Sequence, residues 1–377
     1  MNVLSLCNGM SCAEIALIEA GISYDELYYS EIDKFANEQT EHNFPNSIAL
    51  GDIRTVEVSE LEKIGLVMAG TPCTDLSFAG KRTGLICNTL EDYLPIREEW
   101  LRTGDESLYV HEGKFQQSIL FWEFVRILRD IQKYNPGVKF LLENVRMTKP
   151  QERIINEALG LFPVVINSNL VSAQNRYRLY WTNIRTRSEG LFGEIHSDIP
   201  QPEDQKIFLE DVLQDEDEID EKYFLSDALT KNMIIDISLN SNGGIIGHSG
   251  SGGQKGEIYS TKGKMGALTA TDYKQPKQIC VAMRGRNPEN PSDRTAGAPT
   301  KQRLEPNMDG KTNTLTSVAK DNLILGYRLR RLTPTECARL QTIPDWYEWV
   351  VSESQQYKML GNGWTVKVIS HILSYLK

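Results

Sequence analysis

The sequence predicts an α/β protein built on a parallel sheet, with a second, smaller domain of mostly β and loop structure inserted into it. Three observations predict this. Over residues 1–184, short apolar runs alternate with segments of helical period, the pattern of successive βαβ units. From Asn240 to Asp321 no helical period is visible. After Tyr327 the regular pattern resumes, so the middle region interrupts the first domain.

The elements follow in order. Asn2–Leu6 is an apolar run, followed by Cys7-Asn8-Gly9-Met10-Ser11. Cys12–Ala20 has helical spacing and stops at Gly21. Leu27–Ser30 reads as a strand ending at Glu31, and Asp33 caps a helix that runs to Phe44 and stops before Pro45. Gly65–Ala69 is a further buried strand and ends in Gly70-Thr71-Pro72-Cys73. Gln116–Tyr134 predicts a long helix closed by Asn135-Pro136-Gly137, and Val138–Leu142 a strand ending at Glu143-Asn144. Pro150–Gly160 reads as a helix, with Val164–Leu170 and Arg178–Ile184 as strands. Thr333-Pro334-Thr335-Glu336 combines a cap, a proline at the first helical position and an acid three residues after the cap. Trp364–Leu376 closes the chain as a helix.

Composition narrows the function classes. A chain of 377 residues is long enough for two or three domains, and 40% hydrophobic with 24% charged residues is ordinary for a folded, soluble protein. It has no apolar run of membrane-spanning length, and Met1–Cys12 lacks the basic region and long apolar run of a signal peptide. The six cysteines include no Cys-x-x-Cys pair, which points to reduced thiols in the cytoplasm, and the Cys and His spacings carry no metal signature.

The net charge of −10 argues at first against a nucleic-acid partner. Mapped along the chain, it reads differently. Glu194–Asp227 holds 13 acidic and two basic residues, a net of −11, so the remainder sums to about +1. Ala228–Leu325 carries 13 basic and eight acidic residues, a net of +5, together with 12 of the 28 glycines. The acidic block is expected to be a solvated face or hinge, and the basic, Gly-rich block a candidate binding surface.

Ligands of open parallel sheets bind at the carboxyl ends of the strands. Asn8-Gly9, Glu31, Asp52, Pro72-Cys73 and Glu143-Asn144 all fall at such ends. Glu31 lies 22 residues after Gly9, the spacing of an acid that accepts ribose hydroxyls. Ser11 and Cys12 stand where a pyrophosphate loop has further glycines, so a cofactor with an adenosine and no pyrophosphate fits better, and S-adenosylmethionine is such a cofactor. Most cysteines are small buried hydrophobes, but Cys73 follows Gly70-Thr71-Pro72 at the ligand-binding edge, where a thiolate can act as a nucleophile. Glu143 offers a carboxyl at the same edge for acid–base work. Arg176 and Arg178, two apart in a strand-like run, are expected on one face, where they suit phosphate or carbonyl oxygen.

Taken together, the ordered set of motifs resembles the DNA (cytosine-5)-methyltransferase family, bacterial and phage type. The matching pieces begin with Leu4-Ser5-Leu6-Cys7-Asn8-Gly9, Gly51-Asp52-Ile53, Gly70-Thr71-Pro72-Cys73-Thr74-Asp75-Leu76-Ser77 and Glu143-Asn144-Val145. They continue with Gln174-Asn175-Arg176-Tyr177-Arg178-Leu179-Tyr180-Trp181, Arg331–Gln341 and Gly361-Asn362-Gly363, in family order along nearly the whole chain.

The resemblance implies a Rossmann-like S-adenosylmethionine-dependent catalytic domain over 1–184 and 326–377, with a target recognition domain over 185–325. It implies methyl transfer to carbon 5 of a cytosine flipped out of duplex DNA, with Cys73 adding at carbon 6, Glu143 at ring nitrogen 3, and Arg178 with Arg176 holding the base carbonyl and phosphates. It places Cys7, Asn8, Gly9 and Asn362 near the methionine part of the cofactor, Glu31 at the ribose and Asp52 at the adenine amine, with Ile53 and Pro72 lining the pocket. It implies no metal, a monomer in the cytoplasm of a bacterial or phage-infected cell, and a role in restriction–modification or phage protection in which a partner endonuclease is possible. A tRNA methyltransferase and a catalytically silent DNA-binding regulator remain open as alternatives.

Departures from the family pattern are Cys7 for its usual Phe, Ser11-Cys12 for its usual Gly-Gly, Thr74 for a common Gln, and Trp364 for a small aliphatic residue. A further departure is a long loop between Gly84 and Gly113 with six acids, Glu91, Asp92, Glu98, Glu99, Asp105 and Glu106, whose acidity beside DNA the sequence leaves unexplained.

Overall fold

The computed structural model describes residues 1–72, 87–111, 119–224 and 330–376, and between 114 and 330 several further strands as backbone. Cys73, the remainder of 73–86 and most of Ala228–Leu325 lie outside the described residues.

The chain divides into two compact units. The first comprises Met1–Ile166, Tyr177–Gln201 and Ile369–Lys377, the second Asn167–Arg176 and Pro202–Val368. The division differs from the expected boundaries at 184/185 and 325/326. Residues 330–368 cluster with 202–224, and only the last nine residues cluster with the sheet unit.

The first unit is organised by a seven-stranded sheet, whose strands are numbered here in chain order. They are β1 (Asn2–Leu6), β2 (Leu27–Ser30), β3 (Ile48–Gly51), β4 (Ile64–Gly70), β5 (Lys139–Val145), β6 (Val164–Asn167) and β7 (Tyr177–Thr182). The spatial order is β3-β2-β1-β4-β5-β7-β6. Strands β3 through β5 pair in parallel, and β7 runs antiparallel to β5 with Tyr180 opposite Glu143. This run is the doubly wound, Rossmann-like arrangement, whose crossovers place helices over the faces. β1 is buried at every position, as a strand covered on both faces must be.

The helices are α1 (Cys12–Glu19), α2 (Lys34–Asn43), α3 (Leu90–Thr103), α4 (Leu120–Tyr134) and α5 (Lys149–Leu159). α4 presents Phe121, Phe124, Val125, Ile127, Leu128 and Ile131 to the core, which also holds Leu4, Leu6, Val67, Phe140, Leu142 and Trp181. α5 opens with a Thr148–Gln151 capping box and closes at Gly160 with φ +69, a left-handed stop that glycine adopts without steric cost.

Two expectations change at element boundaries. Val164–Leu170 is a strand only to Asn167; its last three residues form a 3-10 turn in which the Asn167 side chain accepts from the Asn169 N–H. The acidic segment 84–113, read as a loop, contains α3, whose Thr89–Asp92 capping box and Gly104 C-cap at φ +68 define both ends. Its acids have local partners. Glu91 pairs with Arg129, Glu99 with Arg102, and Glu106 with Arg54, while Asp105 accepts from the Ser107 N–H.

In the second unit, α6 (Pro334–Leu340) starts as its motif predicts: the Glu336 N–H donates to Thr333 Oγ1 and the Thr333 N–H to Glu336 Oε2. α7 (Glu353–Asn362) follows, and α8 (Val366–Leu373) crosses the division between the units. Every described element between 225 and 330 is a strand, four of them joined in one small sheet. No helix among the described residues is long and apolar enough to cross a membrane.

Candidate active site

The first three strands of the parallel run bring their carboxyl ends together. The turn after β1 is tight, with left-handed backbone at Cys7 (φ +54), Gly9 (φ +56) and Ser11 (φ +63). Ser11 is a residue that pays steric strain there, and its side chain offsets this: Ser11 Oγ accepts from Asn8 Nδ2 at 2.7 Å and lies 2.9 Å from Thr40 Oγ1. Asn8 is therefore buried with its side chain engaged by Ser5, Ser11 and Thr40, and its N–H donates to the Ser30 carbonyl, so of its polar groups only the carbonyl, which takes one bond from the Ser11 N–H, keeps a lone pair for a ligand.

Glu31, at the end of β2, ties two turns together. Its Oε2 accepts from the Gly9 N–H at 2.8 Å, and its Oε1 from the Ile32 and Asp33 N–H groups at 2.8 and 2.9 Å. Three donors on about four lone-pair sites leave the carboxylate able to accept a further hydroxyl. Asp52, after β3, caps the 3-10 turn Ile53–Thr55 and takes a two-pronged ion pair from Arg54. The Cys7 thiol lies in the field of both carboxylates. Burial, and then Glu31 and Asp52, push it up to about 12, so it stays protonated. Ile53 is buried in the core, and Pro72 is half-buried.

Glu143 sits within β5 and is buried. Arg178 on antiparallel β7 reaches it diagonally, with Nε 2.9 Å from Oε1. Parallel pairing puts Gly70 in register with Glu143, and Asn144 Nδ2 donates to Thr71 Oγ1 (3.2 Å) and to the Thr71 carbonyl (3.3 Å). Gly70 and Thr71 are thereby held against Glu143 and Asn144, while Cys73 lies outside the described residues.

The expectation that Arg176 and Arg178 share a face does not hold. Strand pairing breaks at Arg176, so the alternation of side chains is interrupted there. Arg176 belongs to the second unit, where its guanidinium donates to the carbonyls of Gly361 (3.4 Å) and Gly363 (2.8 Å). Around it, Gln174 donates to the Leu340 carbonyl and to Gln341, and Gln341 in turn donates to the Leu360 and Gly363 carbonyls. Three motifs far apart in the chain are thereby joined, and Asn362 is an exposed residue at the end of α7 in this cluster.

The sequence reading missed Asn144 as the tie to Thr71, and Arg54 as the partner of Asp52. The signal for Arg54 was present: a basic residue two positions after a capping aspartate can reach back to it. Among the described residues no three His, Cys, Asp or Glu side chains are clustered as metal ligands.

The two carboxylates at successive strand ends, with glycine backbone beside them and no glycine-rich pyrophosphate loop, fit an adenosine cofactor that carries a cationic sulfonium. This is the arrangement of a Rossmann-like methyltransferase. The sequence model of the C-5 cytosine-specific DNA methylases matches residues 1–89 and 111–377. The chain belongs to that family, whose members use S-adenosylmethionine to methylate cytosine at carbon 5.

Similar proteins include the orphan methyltransferase M.SPRI of Bacillus phage SPR, 26% identical, covering 100% of this chain and 97% of the phage protein. The type II methyltransferase M.HpaII of Haemophilus parainfluenzae is 26% identical, covering 91% of this chain and 80% of that protein. Among solved structures, Dnmt2 methyltransferase of S. pombe superposes with a TM-score of 0.56 at 16% identity, covering 100% of this chain and 98% of Dnmt2. That likeness concerns the fold.

Proposed function

We propose that this enzyme methylates cytosine in duplex DNA through a covalent adduct on Cys73. The observation that carries the reading is the buried Glu143–Arg178 pair, in register with the strand end that leads into Pro72-Cys73. Carbon 5 of cytosine is a poor nucleophile. Addition of the Cys73 thiolate at carbon 6 turns the ring into an enamine, and carbon 5 becomes nucleophilic. Glu143, held in place by Arg178, bonds to ring nitrogen 3 and stabilises the charge that accumulates there. Arg178 also faces the base carbonyl. Loss of the carbon 5 proton then expels Cys73. S-adenosylmethionine supplies the electrophilic methyl group. Glu31 holds its ribose, Asp52 its adenine amine, the Cys7–Gly9 main chain and Asn362 its methionine part, and Ile53 and Pro72 the pocket walls.

The base must leave the duplex to be reached, at a cost of a few kcal/mol. Ala228–Leu325, with its net charge of +5, is the segment suited to contact phosphates and read base edges. The phage relatives are named orphan methyltransferases, which supports an enzyme that acts without a paired endonuclease. Cys73→Ser is expected to abolish methyl transfer while retaining DNA binding, and DNA containing 5-fluorocytosine to trap the parent enzyme as a stable adduct. Full turnover by Cys73→Ser would overturn the assignment. Competition between duplex DNA and tRNA in the same assay decides the substrate class.

A further inference from the structure

The segment Leu90–Val110 is the one stretch that the family's sequence model leaves unmatched. It carries α3 and the 3-10 turn Glu106–Tyr109, and three of its side chains, Trp100, Glu106 and Tyr109, gather around Arg54 outside the segment. The Arg54 guanidinium lies 4.0 Å from the centre of the Trp100 ring and 5.1 Å from that of Tyr109. These two rings meet edge to face. Arg54 Nη1 donates to Glu106 Oε2 at 2.8 Å, and Glu106 Oε1 accepts from Trp100 Nε1 at 3.1 Å. Arg97 donates to the Arg54 carbonyl at 3.0 Å and so fixes the main chain of the same residue. Behind them Tyr109 and Tyr93 are linked through their hydroxyls, and Tyr93 donates to the buried Glu123.

The Nε and Nη2 groups of Arg54 engage Asp52. Nε reaches both oxygens of Asp52, at 3.2 and 3.0 Å, and Nη2 reaches Oδ2 at 2.6 Å. A planar fork on both oxygens sets the rotation of a carboxylate as well as its place. The remaining lone pair of Asp52 is thereby aimed by a side chain that the inserted segment grips.

Resting on the reading of Asp52 as the carboxylate that meets the adenine amine, we propose that Arg54 is a positioning residue for the cofactor and that the inserted segment 90–110 holds it. Cofactor affinity then depends on a segment that the rest of the family pattern does not contain.

The test is calorimetric titration of the full-length protein with S-adenosylhomocysteine. Arg54→Ala is expected to weaken binding roughly tenfold, about the worth of one charge-assisted hydrogen bond. Arg54→Lys, which keeps the charge and loses the fork, is expected to stay weak. Glu106→Ala combined with Trp100→Leu is expected to weaken binding by about threefold or more, yet to change nothing further in an Asp52→Asn background. Glu106 is exposed, so Glu106→Ala alone keeps the test open where the Trp100 change compromises folding. Parent-like affinity in Arg54→Ala or in the insertion variants would overturn the proposal, as would a loss that adds to that of Asp52→Asn. Undiminished binding by Asp52→Asn would instead remove the reading of Asp52 on which the proposal stands.

Discussion

At the scale of single residues, what separates a ligand-facing group from a structural one is how many of its bonding positions the protein itself fills. Asn8 and Glu31 both stand at strand ends, and both were candidates on that ground. Asn8 is engaged by Ser5, Ser11 and Thr40, whereas Glu31 keeps acceptor capacity beyond its three backbone donors. Cys7 shows the same distinction by charge. Its thiolate is disfavoured by burial and by the two carboxylates it faces, which push it up to about 12. At pH 8 it is a neutral thiol. Iodoacetamide treatment at that pH, followed by peptide mass spectrometry, is expected to leave Cys7 unmodified; rapid labelling would show that burial and the two carboxylates do not hold the thiol protonated. The positions of Glu31 and Glu143 were legible because each follows an apolar run that is a buried strand, whereas Asp52 follows a short, largely exposed edge strand and was legible from the Gly51-Asp52-Ile53 motif. The partners of Arg176 were not, since nothing local in Gln174–Arg178 points to carbonyls at 361 and 363.

At the scale of elements, capping chemistry was the most readable feature. Asp33, Thr333 and Gly160 act where their side chains or backbone freedom predict. The start of α6 has a further layer that its motif does not reveal. Arg330 donates to both oxygens of Glu336 at 2.8 Å, and the pair is almost fully buried. Arg330→Met would leave the Glu336 charge buried with its main countercharge gone. Such a break typically costs about 3–5 kcal/mol, and urea unfolding is expected to show a loss of that order. A loss under about 1 kcal/mol would mean that Thr333 and Gln214 alone suffice to hold the carboxylate. The acidic segment 84–113 marks where element reading failed. Its capping box was present as Thr89 and Asp92, but the family resemblance implies a long loop there, and only the structure supplies partners for its acids, Arg129 of α4 for Glu91 and Arg54 after β3 for Glu106.

At the scale of the whole molecule, net charge is a poor guide to partner. The −10 total is accounted for by Glu194–Asp227, whose described residues, up to Phe224, form a strand and a series of short turns with mostly exposed acids. A basic segment of only +5 implies modest, electrostatic affinity for random duplex. Fluorescence anisotropy between 50 and 200 mM salt is expected to show weak non-specific binding that falls steeply. Tight binding insensitive to salt would contradict that charge map.

The sequence by itself determined the parallel sheet, the positions of most helices, and the acids and glycines placed at strand ends. These follow from apolar periodicity and from caps and turns, which act over a few residues. Only the tertiary structure decided which of those groups keep bonding capacity for a ligand. It also decided that Arg176 and Arg178 part company, that β7 brings Arg178 against Glu143, and that an inserted helix grips Arg54 behind Asp52. Those outcomes depend on pairings between residues tens to hundreds apart in the chain, and no local rule encodes the partner.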